Sequence, residues 1–238
     1  MKKIIGIVPC SMVKKENKSK AEDFYKLGNN YAKRVLESGC IPIGLAPVDN
    51  VLSQEVLELC DGFVVQGGSD FCPYHFQIIH HAITQGKKYL GICLGEQLIY
   101  VYFLLKSELD KQGYKGDTPS KMWEVYKEKF SDCEILQKVF GHCEKFPPRG
   151  QEEKVKHSVN IVKGTLLYRV LGRESIKICS FHNFSTPQTQ TFVKINAWSD
   201  KGDGVVEGLE YMDNILGVQG HPEYDDLLPE LFNFLAKD

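Results

Sequence analysis

The chain has 238 residues, 42% of them hydrophobic and 25% charged, which is enough for one large core and ordinary for a globular protein. A formal net charge of −2 leaves no basic footprint of the kind a phosphate backbone requires, so nucleic acid is not an expected partner. The opening apolar run, Ile4 to Val8, is too short for a signal-peptide core, and the longest later run, Leu98 to Leu105, falls below the roughly 18 residues a membrane span needs. The expectation is a cytoplasmic protein folded as a single domain over residues 1–238, able to form a homo-oligomer.

Taken in chain order, short apolar runs alternate with helical patterns. Ile4 to Val8 predicts a strand, Ala21 to Glu37 an amphipathic helix, Ile41 to Leu45 a strand, Ser53 to Leu59 a helix and Phe63 to Val65 a strand. A helix over Phe76 to Thr84, a strand over Tyr89 to Ile92 and a helix over Gly95 to Leu105 continue the alternation. The implied fold is α/β, a doubly wound and mostly parallel sheet flanked by helices. From Lys106 to Lys154 the periodicity weakens and glycines and prolines break it up, which predicts an excursion of helices and loops. Strands are then predicted over Val155 to Val162, Ile176 to Cys179, Phe192 to Ala197, Val205 to Leu209 and Ile215 to Val218, closed by a helix near Leu227 to Ala236.

The eight cysteines are scattered with no CxxC pair, so reduced and mostly buried thiols are expected. Cys133, His142 and Cys143 lie close in sequence but lack a second ligand pair at finger-like spacing, and no metal site or organic cofactor is expected.

One cysteine stands in a frame that carries chemistry. In Gly91-Ile92-Cys93-Leu94-Gly95-Glu96-Gln97 an apolar strand passes through Gly-x-Cys-x-Gly straight into a helix. The flanking glycines permit a cramped turn that pushes Cys93 out at the carboxyl end of the sheet, and the helix N-terminus stabilises a thiolate there. A thiol nucleophile needs an imidazole base held by a third group. His221-Pro222-Glu223, just after a predicted strand, supplies both, with Pro222 stiffening an extended link between them. Attack on a carbonyl also needs two preorganised N–H donors; Gly68, in the pair Gly67-Gly68 after a strand, and Leu94, next to the cysteine, are the candidates. Read singly, Cys93 could be another buried thiol, His221 a loop histidine and Gly67-Gly68 a tight turn.

Together, in this order and spacing, the three segments resemble the class I glutamine amidotransferase superfamily, which has a flavodoxin-like core, and within it the peptidase C26 group of γ-glutamyl hydrolases. Gly67-Gly68-Ser69-Asp70-Phe71-Cys72-Pro73, Cys179-Ser180-Phe181-His182 and Asp203-Gly204-Val205-Val206-Glu207 are similar to segments of that group, nearest to γ-glutamyl-γ-aminobutyrate hydrolases. The resemblance implies hydrolysis of a small-molecule γ-glutamyl amide through a Cys93 thioester. It also implies that Gln97, Ser180, Phe181 and His182 line the pocket for the glutamyl group.

Two departures bear on specificity. Gly220 stands where an aromatic residue usually precedes His-Pro-Glu, and the 106–154 excursion is unlike the common pattern. Two other readings share these residues: a glutaminase subunit that passes ammonia to a separate synthase, and a catalytically silent binding protein on the same fold.

Overall fold

A computed structural model describes residues 1–11, 25–129, 135–142, 152–188, 192–224, 226 and 228–237. In the first half, strands β1 (Ile4–Val8), β2 (Cys10–Ser11) and β3 (Tyr25–Lys26) precede helix α1 (Asn29–Glu37). Then come β4 (Ile41–Gly44), α2 (Gln54–Leu59), β5 (Gly62–Val65), α3 (Pro73–Thr84), β6 (Lys88–Ile92) and α4 (Leu94–Lys111). The second half holds α5 (Thr118–Lys129), β7 (Gln137–Lys138), β8 (Lys156–Ile161), α6 (Leu166–Leu171), β9 (Ser175–Cys179) and β10 (Phe184–Ser185). It ends with β11 (Lys194–Ser199), β12 (Val206–Tyr211), β13 (Ile215–Val218) and α7 (Pro229–Ala236).

Nine strands form one sheet in the order β4-β1-β5-β6-β13-β12-β11-β8-β9. The five from β4 to β13 run parallel, in the 2-1-3-4-5 order of a doubly wound core. Beyond β13 the sheet continues antiparallel. The parallel strands are apolar at almost every position because helices cover both faces. Phe63 and Val65 join the cluster built with α3, α4 and α5, while Val64 between them joins the opposite cluster with α1, α6 and α7. Each such fully buried side chain stabilises the fold by about 1.5–3 kcal/mol.

Local chemistry sets the helix ends. The Ser53 side chain accepts from the Val56 N–H and starts α2, and Pro73 at the first turn of α3 starts that helix three residues before the apolar pattern does. The predicted helix from Ala21 is a correction: Tyr25–Lys26 is a strand paired with Cys10–Ser11, and α1 begins only after Gly28. Gln66 holds that stretch extended, its amide donating to the Lys26 carbonyl (2.6 Å) and its oxygen accepting from the Gly28 N–H (3.0 Å). Residues 21–24, where the start of that predicted helix falls, lie outside the described residues. Within the excursion, α4 runs on to Lys111 and α5 packs against α3 and α4. No helix among the described residues is long and apolar enough to cross a membrane.

Candidate active site

The carboxyl ends of three neighbouring parallel strands meet at one point. Gly67 and Gly68 follow β5, Cys93 follows β6, and His221 follows β13. Cys93 has φ 53° and ψ −103°, a left-handed conformation that costs a non-glycine residue on the order of 1–3 kcal/mol. The surroundings impose it. The Cys93 N–H donates to the Val218 carbonyl (2.9 Å), the Tyr89 hydroxyl donates to the Gly95 carbonyl (2.7 Å), and Gly95 packs so close to Val65 that an added Cβ would overlap its backbone carbonyl. Strand β6 therefore turns into α4 within one residue, and the thiol stands at the helix N-terminus.

His221 is tied from both sides. Its N–H donates to the Cys179 carbonyl (2.8 Å), and its ring Nδ1–H donates to Glu223 Oε1 (2.7 Å), since an ionised carboxylate can only accept. That bond leaves Nε2 for Cys93, which lies near enough to raise the pKa of the ring. Residues 222–224 form a 3-10 turn rather than the extended link expected from Pro222, and this turn folds the carboxylate back onto Nδ1. Burial lowers the affinity of His221 for its proton, but Glu223 and Cys93 outweigh burial and raise its pKa from 6.5 to about 10. The ring is thus an imidazolium at neutral pH, poised opposite the sulfur.

The glycine loop fits between them. A Cβ on Gly67 would lie 2.7 Å from His221 Cε1 and 3.3 Å from Cys93 Cβ, so only a glycine leaves room for the pair. The loop is held by residues with no motif to announce them. The Cys10 thiol donates to the Gly67 carbonyl (2.7 Å), and the Gly67 N–H donates to the Tyr31 hydroxyl (3.1 Å). In a trans peptide the carbonyl and the following N–H point opposite ways, so Cys10 turns the Gly68 N–H away from itself. No described residue accepts from the Gly68 or Leu94 N–H. Burial and then the neighbouring Glu223 raise the Tyr31 pKa well above its usual value, keeping that hydroxyl neutral. Burial, with Cys93 and Cys72 nearby, likewise pushes the Cys10 thiol up to about 12.

Cys93 opens into a cavity of about 570 Å³ lined on one side by Gly68, Asp70, Leu94 and Gln97 and on the other by Trp123, Tyr126 and Lys127 of α5. The rings of Trp123 and Tyr126 stack 5.7 Å apart, and the Lys127 ammonium lies 5.6 Å from the Trp123 centroid. The excursion thus supplies one wall of the site. Among the residues expected to hold the glutamyl group, Gln97 and Phe181 line the cavity. The Gln97 amide N–H groups donate to Phe184 O and Gln219 Oε1, both at 2.9 Å, so it shapes the wall. Ser180 does not reach the cavity, because its hydroxyl donates to the His142 carbonyl (2.8 Å). His182 borders the cavity, but its ring turns inward toward Glu207.

The aromatic wall expected to be missing at Gly220 is provided elsewhere. Phe181 and Tyr224 flank the His221 ring at centroid distances of 5.4 and 5.9 Å. A Cβ on Gly220 would lie 2.7 Å from Ile178 Cγ2, so strand β9 occupies the space a side chain would take. Cys133 and Cys143 lie outside the described residues.

The peptidase C26 family model matches residues 3–78 and 74–223. The chain belongs to the peptidase C26 family. It is accordingly a cysteine-dependent hydrolase of C–N bonds, of the glutamine amidotransferase type. No curated protein matches it. Solved structures agree in fold. The glutaminase domain of Trypanosoma brucei CTPS, with bound acivicin, is 17% identical with a TM-score of 0.61, over 98% of this chain and 92% of that one. PurLQS from Thermotoga maritima is 16% identical with a TM-score of 0.58, covering 99% and 98%. A GMP synthase subunit from Thermoplasma acidophilum is 17% identical with a TM-score of 0.54, covering 99% and 94%.

Proposed function

We propose that this C26 hydrolase cleaves γ-glutamyl amides through a thioester on Cys93. The observation that carries the reading is the strained Cys93 elbow facing a His221 ring locked by Glu223, with the Gly68 and Leu94 N–H groups unengaged beside it. The thiolate attacks the γ-carbonyl, and the resulting oxyanion takes hydrogen bonds from those two N–H groups. His221 gives its proton to the departing amine as the C–N bond breaks, leaving a γ-glutamyl thioester. Neutral His221 then draws a proton from water, hydroxide adds to the thioester, and the sulfur leaves as thiolate, releasing glutamate and restoring the imidazolium. Glu223 holds the ring in one tautomer throughout, and no cofactor enters the cycle.

The small-molecule substrate lies with its glutamyl part between Gln97 and Asp70, where the Asp70 carboxylate can receive an α-ammonium, and its amine part against Trp123, Tyr126 and Lys127. A screen of γ-glutamyl amides differing in the amine tests this. Wild-type protein alone is expected to release glutamate, and Cys93→Ala to lose at least about 10⁴-fold in kcat/KM. Full activity in Cys93→Ala overturns the reading. The similarity to a GMP synthase subunit favours a second reading, a glutaminase that feeds ammonia to a synthase partner. Hydrolysis confined to glutamine, and seen only after a partner is added, would establish it.

A further inference from the structure

Three of the seven histidines converge on one buried carboxylate away from the Cys93 chemistry. His142 follows β7, His157 lies on β8, His182 follows β9, and Glu207 lies on β12. His142 Nδ1, His157 Nε2 and His182 Nε2 stand 3.0, 3.1 and 3.5 Å from the same atom, Glu207 Oε1. The side chains of His142, His182 and Glu207 are 0% exposed and that of His157 is 9% exposed.

The tautomers make this crowding informative. His142 Nε2–H donates to Asp203 Oδ2 (2.8 Å), and His182 Nδ1–H donates to the Phe184 carbonyl (3.0 Å). In its neutral form each ring carries its proton on that outward nitrogen and turns a lone pair inward. None of the three inward contacts has hydrogen-bond geometry: Glu207 Oε1 sits near the ring nitrogens but off their axes, and both Glu207 oxygens lack a hydrogen-bond partner. Acceptors turned on one another in a desolvated space repel, and leaving them unpaired is unfavourable. A cation at the point they share removes that cost. The outward bonds to Asp203 and Phe184 are the second-sphere contacts that orient metal-bound imidazoles.

We propose that His142 Nδ1, His157 Nε2, His182 Nε2 and Glu207 form a closed site for a divalent transition metal of the zinc class. Three imidazoles and one carboxylate suit zinc in tetrahedral geometry, and four protein ligands leave no position for water, so the role is structural. The ligand atoms of His142, His182 and Glu207 already lie within 4.8 Å of one another, so little movement closes the site. The ion would pin four separate segments together. One of them carries Phe181, which packs on His221 and lines the cavity. This metal site is independent of which substrate the enzyme cleaves.

The test is elemental analysis of wild-type protein after zinc loading and exhaustive dialysis, with X-ray absorption at the zinc edge. About one zinc per chain is expected, with a first shell of nitrogen and oxygen at about 2.0–2.1 Å and no sulfur. Chelation should lower Tm, and zinc should restore it. His157→Asn and Glu207→Gln should each retain under about a tenth of the metal after the same dialysis. The proposal is overturned if wild-type protein keeps no zinc and its Tm ignores zinc and chelator. A sulfur shell at about 2.3 Å, or full metal retention by both variants, overturns it equally.

Discussion

Cys93, His221 and Glu223 act as one charge-coupled unit, and each change to it has a readable consequence. Glu223→Gln removes the strongest influence holding the proton on His221, so the ring pKa should fall from about 10 in an NMR titration. kcat should drop about 10²–10⁴-fold as the tautomer is released. The raised pKa also bears on stability. The folded chain binds the His221 proton more tightly than the unfolded chain, so this contribution is complete below about pH 6.5 and is lost as pH rises through about 10. Thermal melts of wild type and His221→Gln should therefore differ most at neutral and acidic pH and converge above about 10. Cys10 makes a subtler test. Cys10→Ala removes the thiol that orients the Gly67–Gly68 peptide, and kcat should fall about 10–100-fold with KM little changed. Equal kcat values would show that the loop holds itself. The motifs around Cys93 and His221 were legible in the sequence because their glycine and proline frames are local. Cys10 and Tyr31 were not, because their contacts reach 57 and 36 residues along the chain.

Among the elements, the elbow and α5 divide the work. Gly95→Ala would drive a methyl group into the Val65 carbonyl at the turn from β6 into α4, costing about 1–3 kcal/mol and lowering Tm by roughly 2–10 °C in a calorimetric scan. Trp123→Ala should lower Tm, because the ring packs on Phe76 and Tyr126, and should raise KM by about tenfold for amides with a large leaving amine while sparing glutamine. A uniform loss over all substrates would remove α5 from the leaving-group side. The parallel strands were readable because they are short apolar runs between turn residues. Helix α6 was missed, since Leu166–Leu171 is only six residues long, mostly apolar and too short to show a helical period; the Thr165 cap and the left-handed Gly172 are the signals that mark it. The helix expected from Ala21 failed at Tyr25–Lys26 because a distant Gln66 competes for that backbone.

At the scale of the molecule, a 2-1-3-4-5 parallel core delivers a loop, a nucleophile and a base from three adjacent strand ends, and an antiparallel extension carries β8, β9 and β12 beyond them. Order and spacing along the chain made the first of these foreseeable. Nothing local foretold that β8, β12 and the loops after β7 and β9 would bring His142, His157, His182 and Glu207 together, because that meeting depends on the register of the extension. Catalysis by Cys93 is covalent under the proposed function. Wild-type protein mixed with a γ-glutamyl amide and quenched in acid during turnover should show, by peptide mass spectrometry, one glutamyl group on the Cys93 peptide and none in Cys93→Ser. Turnover with no adduct on Cys93, and undiminished hydrolysis by Cys93→Ser, would contradict a Cys93 thioester.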